Sequence, residues 1–240
     1  MTPPTDPSGG AASGLRMISP WRELGASSID RVAAAGRVAR VRRGETLSDR
    51  VGLALSGVIA VVDRMVDGRQ TISQLLHPGD LFDLGTAPIE PSEALTALTA
   101  ASYVALDEEV WRGLLGADRR LADASYARLG EQTRRLRRHI SAIAFTTPLE
   151  RLSATLLELR RRAPDGTEAA GQDPRLALEI RRRDLSEHVG LKPETVSRSF
   201  RQLEQEGVIA IEEKGLLRMI DVAELERIAQ GGRPRASTRG

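Results

Sequence analysis

The chain contains no cysteine. That absence excludes a cysteine-ligated iron–sulfur cluster, any thiol redox switch within the chain, and a cysteine nucleophile. Histidine is scarce: the three, His77, His139 and His188, lie far apart in sequence. A metal site needs several convergent ligands, so none is expected. No glycine-rich phosphate loop precedes a helix and no histidine–carboxylate pair is evident, so no catalytic residue is assigned and an enzyme is not expected. No apolar run approaches the roughly twenty residues that a membrane-spanning helix needs. The first residues, MTPPTDPSGGAASG, lack a basic segment followed by an apolar core, so a secretion signal is not expected either. Charge is close to balanced, with 35 Lys and Arg against 33 Asp and Glu. The arginines nonetheless concentrate in the second half, as when a basic part is joined to a more neutral one.

What the chain does have is most specific between Arg181 and Leu217: RRRDLSEHVGLKPETVSRSFRQLEQEGVIAIEEKGLL. Asp184 followed by Glu187 has the spacing of a capping box, which predicts a helix start. Leu185, His188 and Val189 continue at helical spacing. Gly190 sits where a helix stops and turns sharply, and Leu191 is the apolar residue such a turn buries. Pro193, after Lys192, suits the first turn of a second helix. Val196, Phe200 and Leu203 form its buried stripe, with Val208 beyond the Gly207 stop. Glu194, Thr195, Ser197, Arg198 and Arg201 are left to face a partner. Strands from Val208 to Ile211 and from Leu216 to Ile220, joined by a turn over Glu212 to Gly215, follow. Helix, turn, helix, hairpin is the layout of a winged helix-turn-helix, which places one helix in the DNA major groove. A helical hairpin that merely packs is the alternative.

DLSEHVGLKPETVSRSFRQLEQEGVI resembles the DNA-binding domain of the CRP/FNR superfamily of bacterial transcription regulators, and its E-T-V-S-R string is similar to the FNR and FixK branch. The resemblance implies base reading by Glu194, Ser197 and Arg198 on two inverted half-sites resembling TTGAT. The chemistry agrees: arginine bonds guanine O6 and N7, and glutamate accepts from cytosine N4. Lys192, Thr195 and Arg201 are expected on phosphates. Pro193 stands where the cyclic-AMP branch carries a further base-reading arginine, which argues against that branch's operator. Double-stranded DNA and RNA polymerase are the implied partners, and a cytoplasmic location follows.

The N-terminal half reads as short strands: Arg37 to Val41, Val51 to Leu55, Val58 to Arg64, Arg69 to Leu76, Ala94 to Ala101 and Tyr103 to Leu106. Asp67-Gly68 between two runs is a hairpin signal. The string LALSGVIAVVDRMVDGRQTISQLLHPGDLF resembles the β-roll of the same superfamily. After a short helix over Asp107 to Leu115, the chain from Asp118 to Phe145 has no proline. Tyr126, Leu129, Thr133, Leu136, Ile140 and Ile143 recur at alternating steps of three and four, a heptad seam. A palindromic operator needs a two-fold protein, so the seam is expected to make a homodimer. A helix packed on its own domain is the alternative. Arg134, Arg135, Arg137 and Arg138 flank the seam and are expected to be solvated or paired with acidic groups. Thr146-Thr147-Pro148 breaks the helix, and Pro148 to Arg162 forms the next.

The expected fold class is α+β: a jelly-roll-like β-roll of cyclic-nucleotide-binding type, a long dimerisation helix and a C-terminal winged helix-turn-helix. The expected boundaries are a disordered leader at 1–18, the β-roll at 19–116, the dimerisation helix at 117–146, the DNA-binding domain at 147–229 and a disordered, solvated tail at 230–240. Effector binding is read mostly by absence. Cyclic-AMP binders hold the ribose with a Gly-Glu pair and the phosphate with an Arg-Ser pair. Here Leu84 falls near the glutamate position and Pro91-Ser92 replaces Arg-Ser, while Asp83, Glu90 and Glu93 would repel a phosphate. No cofactor is expected. Haem is the alternative, with His77 the best-placed axial ligand, although a structural role beside the turn suits it better.

Overall fold

The computed structural model describes residues 7–18, 21–83, 93–162, 175–177, 180–212 and 216–232. The chain divides into two compact units, Met1–Leu136 and Arg137–Gly240.

The first unit opens with helix α1 (Pro7–Met17), a 3-10 turn (Trp21–Glu23) and α2 (Ala26–Ala35). Strands β1 (Arg37–Val41), β2 (Val51–Ser56), β3 (Ile59–Arg64), β4 (Gln70–Leu76), β5 (Leu81–Asp83), β6 (Glu93–Ala97) and β7 (Ala101–Leu106) follow, then α3 (Glu108–Ala117) and the long α4 (Arg119–Phe145). Two antiparallel sheets result, in the orders β1-β7-β2-β5 and β4-β3-β6. Alternation along the strands sorts the core. Val51 and Leu53 of β2, with Val104 and Leu106 of β7, join Trp21, Ile29, Val32, Trp111 and Leu121 in a layer against the helices. Their neighbours Ala54, Ala101, Tyr103 and Ala105 face the other way, onto Ile59, Leu76, Phe82 and Leu95. A strand buried on both faces reads as a continuous apolar run, which is why Val51 to Leu55 shows no polar alternation. Gly52 is small for a reason: a Cβ there would sit 2.4 Å from the Phe82 ring.

Pro7–Met17 corrects the expected disordered leader. Its Pro, Ser and Gly content masks a helix whose Ala11, Ala12 and Leu15 are buried in the core with Trp21. Residues 1–6 lie outside the described set. The run from Ala94 to Ala101 is likewise not one strand. The chain bends over Leu98 to Ala100 and re-enters the other sheet as β7. The Asp67-Gly68 hairpin forms as expected, with Gly68 at φ 84 and β3 paired to β4 on either side.

The second unit starts within α4. It continues through α5 (Pro148–Arg162), β8 (Arg175–Ala177), α6 (Arg182–Val189), α7 (Pro193–Gln205), β9 (Ile209–Ile211), β10 (Leu216–Met219) and α8 (Val222–Ala229). The sheet order is β8-β10-β9. Thr147 and Glu150 cap α5 reciprocally: the Thr147 N–H donates to the Glu150 carboxylate at 3.0 Å, and the Glu150 N–H to the Thr147 hydroxyl at 3.4 Å. Leu152 and Leu156 of α5, Leu185 of α6, Val196, Phe200 and Leu203 of α7, and Leu225 of α8 are buried. Residues 233–240, most of the expected tail, fall outside the described set.

Candidate nucleic-acid interface

The turn between α6 and α7 is built by Gly190, at φ 64 in the left-handed region that favours glycine. Its N–H and that of Leu191 both return to the Ser186 carbonyl, the latter at 3.0 Å. Leu191 itself is half-buried. Lys192, in extended backbone, is the N-cap of α7, and Pro193 occupies the first turn, where its missing N–H costs nothing. The start of α6 differs from expectation. The helix begins at Arg182 with Arg181 as N-cap, so Asp184 sits inside the first turn and does not cap it. Glu187 is taken by Arg183 at 3.0 Å instead of closing a capping box. An acidic residue in a first turn is stabilised by the helix dipole without being the cap, and sequence spacing does not separate the two roles.

Val196, Ser199, Phe200 and Leu203 seat α7 in the core. On the opposite side Glu194, Ser197, Arg198 and Arg201 follow the i, i+3, i+4, i+7 spacing of a single stripe. Glu194, Arg198, Arg201 and Lys192 are exposed, and Thr195 and Ser197 are half-buried. Among the described residues none of the four charged groups enters an ion pair, so their hydrogen-bonding capacity points outward unspent. Arg182 behaves differently: its guanidinium stacks 4.1 Å over the Phe200 ring and so ties α6 to α7. The hairpin beyond α7 pairs Leu217 with Ile211 and Met219 with Ile209. Its tip, 213–215, is not among the described residues. Helix α8 was not anticipated; its Asp221 cap accepts the Glu224 N–H at 2.8 Å.

Elsewhere the structure places the remaining expected residues as follows. On α4, Tyr126, Ile140 and Ile143 are exposed at 72%, 58% and 40%, and Thr133 is exposed too. Leu129 packs on the core of its own unit. Leu136 lines a cavity of about 350 Å³, shared with Leu129, Gln132 and Thr133 of α4 and with Val61, Phe82, Glu93 and Leu95 of the sheets. Of the seam's flanking arginines, Arg135 is not solvated. It donates to the fully buried Asp80 at 2.6 Å, and Arg128 reaches the same carboxylate at 2.8 Å. Asp80 also accepts the His77 N–H at 2.8 Å, and Gly79 accepts the Trp21 indole N–H at 2.9 Å. The His-Pro-Gly-Asp turn is thereby a charged anchor for α4. His77 is buried beside it. Leu84, Glu90, Pro91 and Ser92 fall outside the described residues, as does the side chain of Asp83.

Comparison with known proteins bears on this geometry. Residues 150–228 match the family described as the Crp-like helix-turn-helix domain. The nitrogen fixation regulation protein FixK of Azorhizobium caulinodans is 29% identical over 196 residues, 82% of this chain and 78% of that protein. Residues 150–228 thus carry the Crp-like helix-turn-helix domain, and the chain as a whole is similar to CRP/FNR-family regulators. FixK proteins recur among the curated relatives, at 25–29% identity. The CRP-like cAMP-activated global transcriptional regulator of Mycobacterium tuberculosis is 25% identical over 187 residues, 77% of this chain and 80% of that one. Among solved structures, FixK2 from Bradyrhizobium japonicum superposes with a TM-score of 0.70 at 24% identity, covering 80% of this chain and 96% of the other. The superfamily architecture of β-roll, long helix and winged helix-turn-helix is thus the fold of this chain.

Sequence reasoning missed the Asp80–Arg128–Arg135 cluster, the cavity and the role of Arg151. The Arg151 guanidinium is buried and donates to the carbonyls of Val189 (2.9 Å), Ile143 (2.9 Å) and Thr146 (3.0 Å). An arginine inside a helix of alternating leucines reads as solvated, and only the packing reveals what it reaches.

Proposed function

We propose that this CRP/FNR-family regulator acts in the cytoplasm as a homodimer on a palindromic operator with TTGAT-type half-sites. The observation that carries the reading is the exposed stripe on α7. Glu194, Ser197 and Arg198 lie together in the first turns of a helix whose other face is locked into the core. Two such helices, one per protomer, enter successive major grooves about 34 Å apart. Arg198 bonds guanine O6 and N7, Glu194 accepts from cytosine N4, and Ser197 donates or accepts. Lys192, Thr195 and Arg201 hold phosphates and set the salt dependence. The two-fold axis runs along Tyr126, Leu129, Thr133, Leu136, Ile140 and Ile143. RNA polymerase is the partner that converts occupancy into a change in transcription.

No resident cofactor is needed in this reading. The purified protein is then expected to show no Soret band, and such a band would restore haem. A second reading, control by a small effector, is favoured by one observation. Gln132 lines the cavity and donates its amide N–H to the Leu81 carbonyl at 2.9 Å, while its buried Oε1 has no hydrogen-bond partner among the described residues. With Glu93 as the charged group lining that cavity among the described residues, a phosphate finds no cation there and a neutral hydrogen-bond donor finds an acceptor.

The deciding experiment is retention of genomic fragments by the purified protein, followed by a gel shift on a duplex with inverted TTGAT half-sites. Enrichment of that palindrome supports the operator. Enrichment of a different motif, or of none, overturns it.

A further inference from the structure

Two of the three histidines, far apart in sequence, meet in the second unit. His139 of α4 and His188 of α6 lie ring on ring, with centroids 4.1 Å apart and planes within 2° of parallel. Both are half-buried. Their positions are pointed. His139 precedes the exposed Ile140 of the α4 seam, and His188 sits two residues before the Gly190 turn that aims α7. Behind the stack, Arg151 of α5 bonds the carbonyls of Ile143, Thr146 and Val189. One buried cation and one stacked pair therefore fasten the end of α4 to the end of the first reader helix.

We propose that the His139–His188 stack is a pH-sensitive latch, closed at neutral pH and opened in acid, that sets how firmly the reader helices are held to the end of the α4 helix. Neutral imidazoles stack face to face without charge cost. Two imidazolium rings at this separation repel each other, and both do so beside the Arg151 guanidinium. Burial, and then the charge of Arg151, hold His139 below the ordinary histidine range. Its proton is thus taken up at the expense of the packing. The other charged groups on the surrounding helices do not remove that conflict. Arg135, one turn before His139 on α4, is held by Asp80, and Arg138 adds a further positive charge. On α5, Glu150 is taken by the Thr147 N–H. On α6, Glu187 is taken by Arg183. Asp184 lies one turn before His188 on the same helix.

The test is hydrogen–deuterium exchange of the full-length protein at pH 7.5 and pH 5.5, corrected for intrinsic exchange rates. Protection of residues 139–147 and 182–191 is expected to fall at least tenfold in acid, while the α5 core stays protected. The double variant His139→Phe/His188→Phe keeps an aromatic stack that cannot titrate, and its protection is expected to be independent of pH. His188→Gln provides a milder replacement should the double variant fold poorly, and it is expected to reduce the pH response by at least half. Equal pH responses in wild type and variants overturn the latch. A DNA arm rests on the operator reading above. On a duplex with inverted TTGAT half-sites, wild-type affinity is expected to fall at least tenfold between pH 7.5 and 5.5, and the double variant's by less than threefold. Loss of exchange protection in a protein that never binds the duplex keeps the latch and overturns the operator. Binding whose pH dependence matches in both proteins overturns the latch and keeps the operator.

Discussion

In the proposed function Arg198 is the α7 residue that reads a guanine. Arg198 is exposed, and no described residue pairs with it and competes with a base for its donors. Arg198→Ala is expected to cost about 1–3 kcal/mol of operator affinity and to relax discrimination at one guanine. Competition gel shifts with single-base operator variants check this, and unchanged discrimination sinks the assignment. Arg201→Ala is expected to behave differently. Affinity should drop by a similar factor on every sequence, and the slope of log affinity against log salt should shrink by about one. The stripe of Glu194, Ser197, Arg198 and Arg201 was legible in the sequence because helical periodicity alone decides which residues leave the core side. Asp80, Arg151 and the His139–His188 pair were not legible. A polar side chain looks solvated until a partner from a distant segment buries it.

Helix α4 shows how one element is fixed at its start. Asp118 accepts the N–H groups of Arg120 and Leu121 at 3.1 and 3.2 Å, and also the Ser28 hydroxyl and the Arg31 guanidinium. It is both the cap of α4 and the clasp onto α2. The Ser28 hydrogen bond first, with the Leu121 N–H and Arg31 assisting, lowers its carboxyl to about 2. The folded-state value lies below the unfolded one, so the ion favours the fold at neutral pH. That contribution is complete above the ordinary carboxylate value near 4, and is lost as pH falls towards about 2. Asp118→Ala is expected to lower stability by about 1–2 kcal/mol, as loss of a helix cap does. In urea unfolding followed from pH 5 to pH 2.5, wild type is expected to lose more stability than Asp118→Asn. Equal losses would falsify this account of the cap. Among the helices, the long ones were read almost to the residue, because proline, glycine and a caps-and-periodicity pattern mark their ends. Pro7–Met17 was not, since glycine and serine propensities there are overridden by burial of Ala11 and Leu15 against Trp21.

For the molecule as a whole the decisive surface is the outer face of α4, where Tyr126, Ile140 and Ile143 are exposed at 72%, 58% and 40%. Large apolar side chains recurring on one helical face are a surface made to be covered, and in the proposed function a second copy covers it. Ile140→Glu is expected to yield monomers in sedimentation velocity at micromolar concentration. Operator affinity should fall by at least a hundredfold, because each protomer then holds one half-site alone. A variant that stays dimeric moves the interface elsewhere. The sequence by itself determined most of the strands and the helices from α3 to α7, the family resemblance, the turn chemistry at Gly190 and Pro193, and the outward stripe of α7. All of these are local: propensity, periodicity and spacing act within about a dozen residues. Only the tertiary structure decided that Asp80 anchors α4 through two arginines, that Arg151 gathers three carbonyls, and that His139 meets His188. Apart from the Arg151 bonds to Ile143 and Thr146, those contacts join segments tens of residues apart. Their energies come from burial and charge neutralisation, which exist only once the chain has folded.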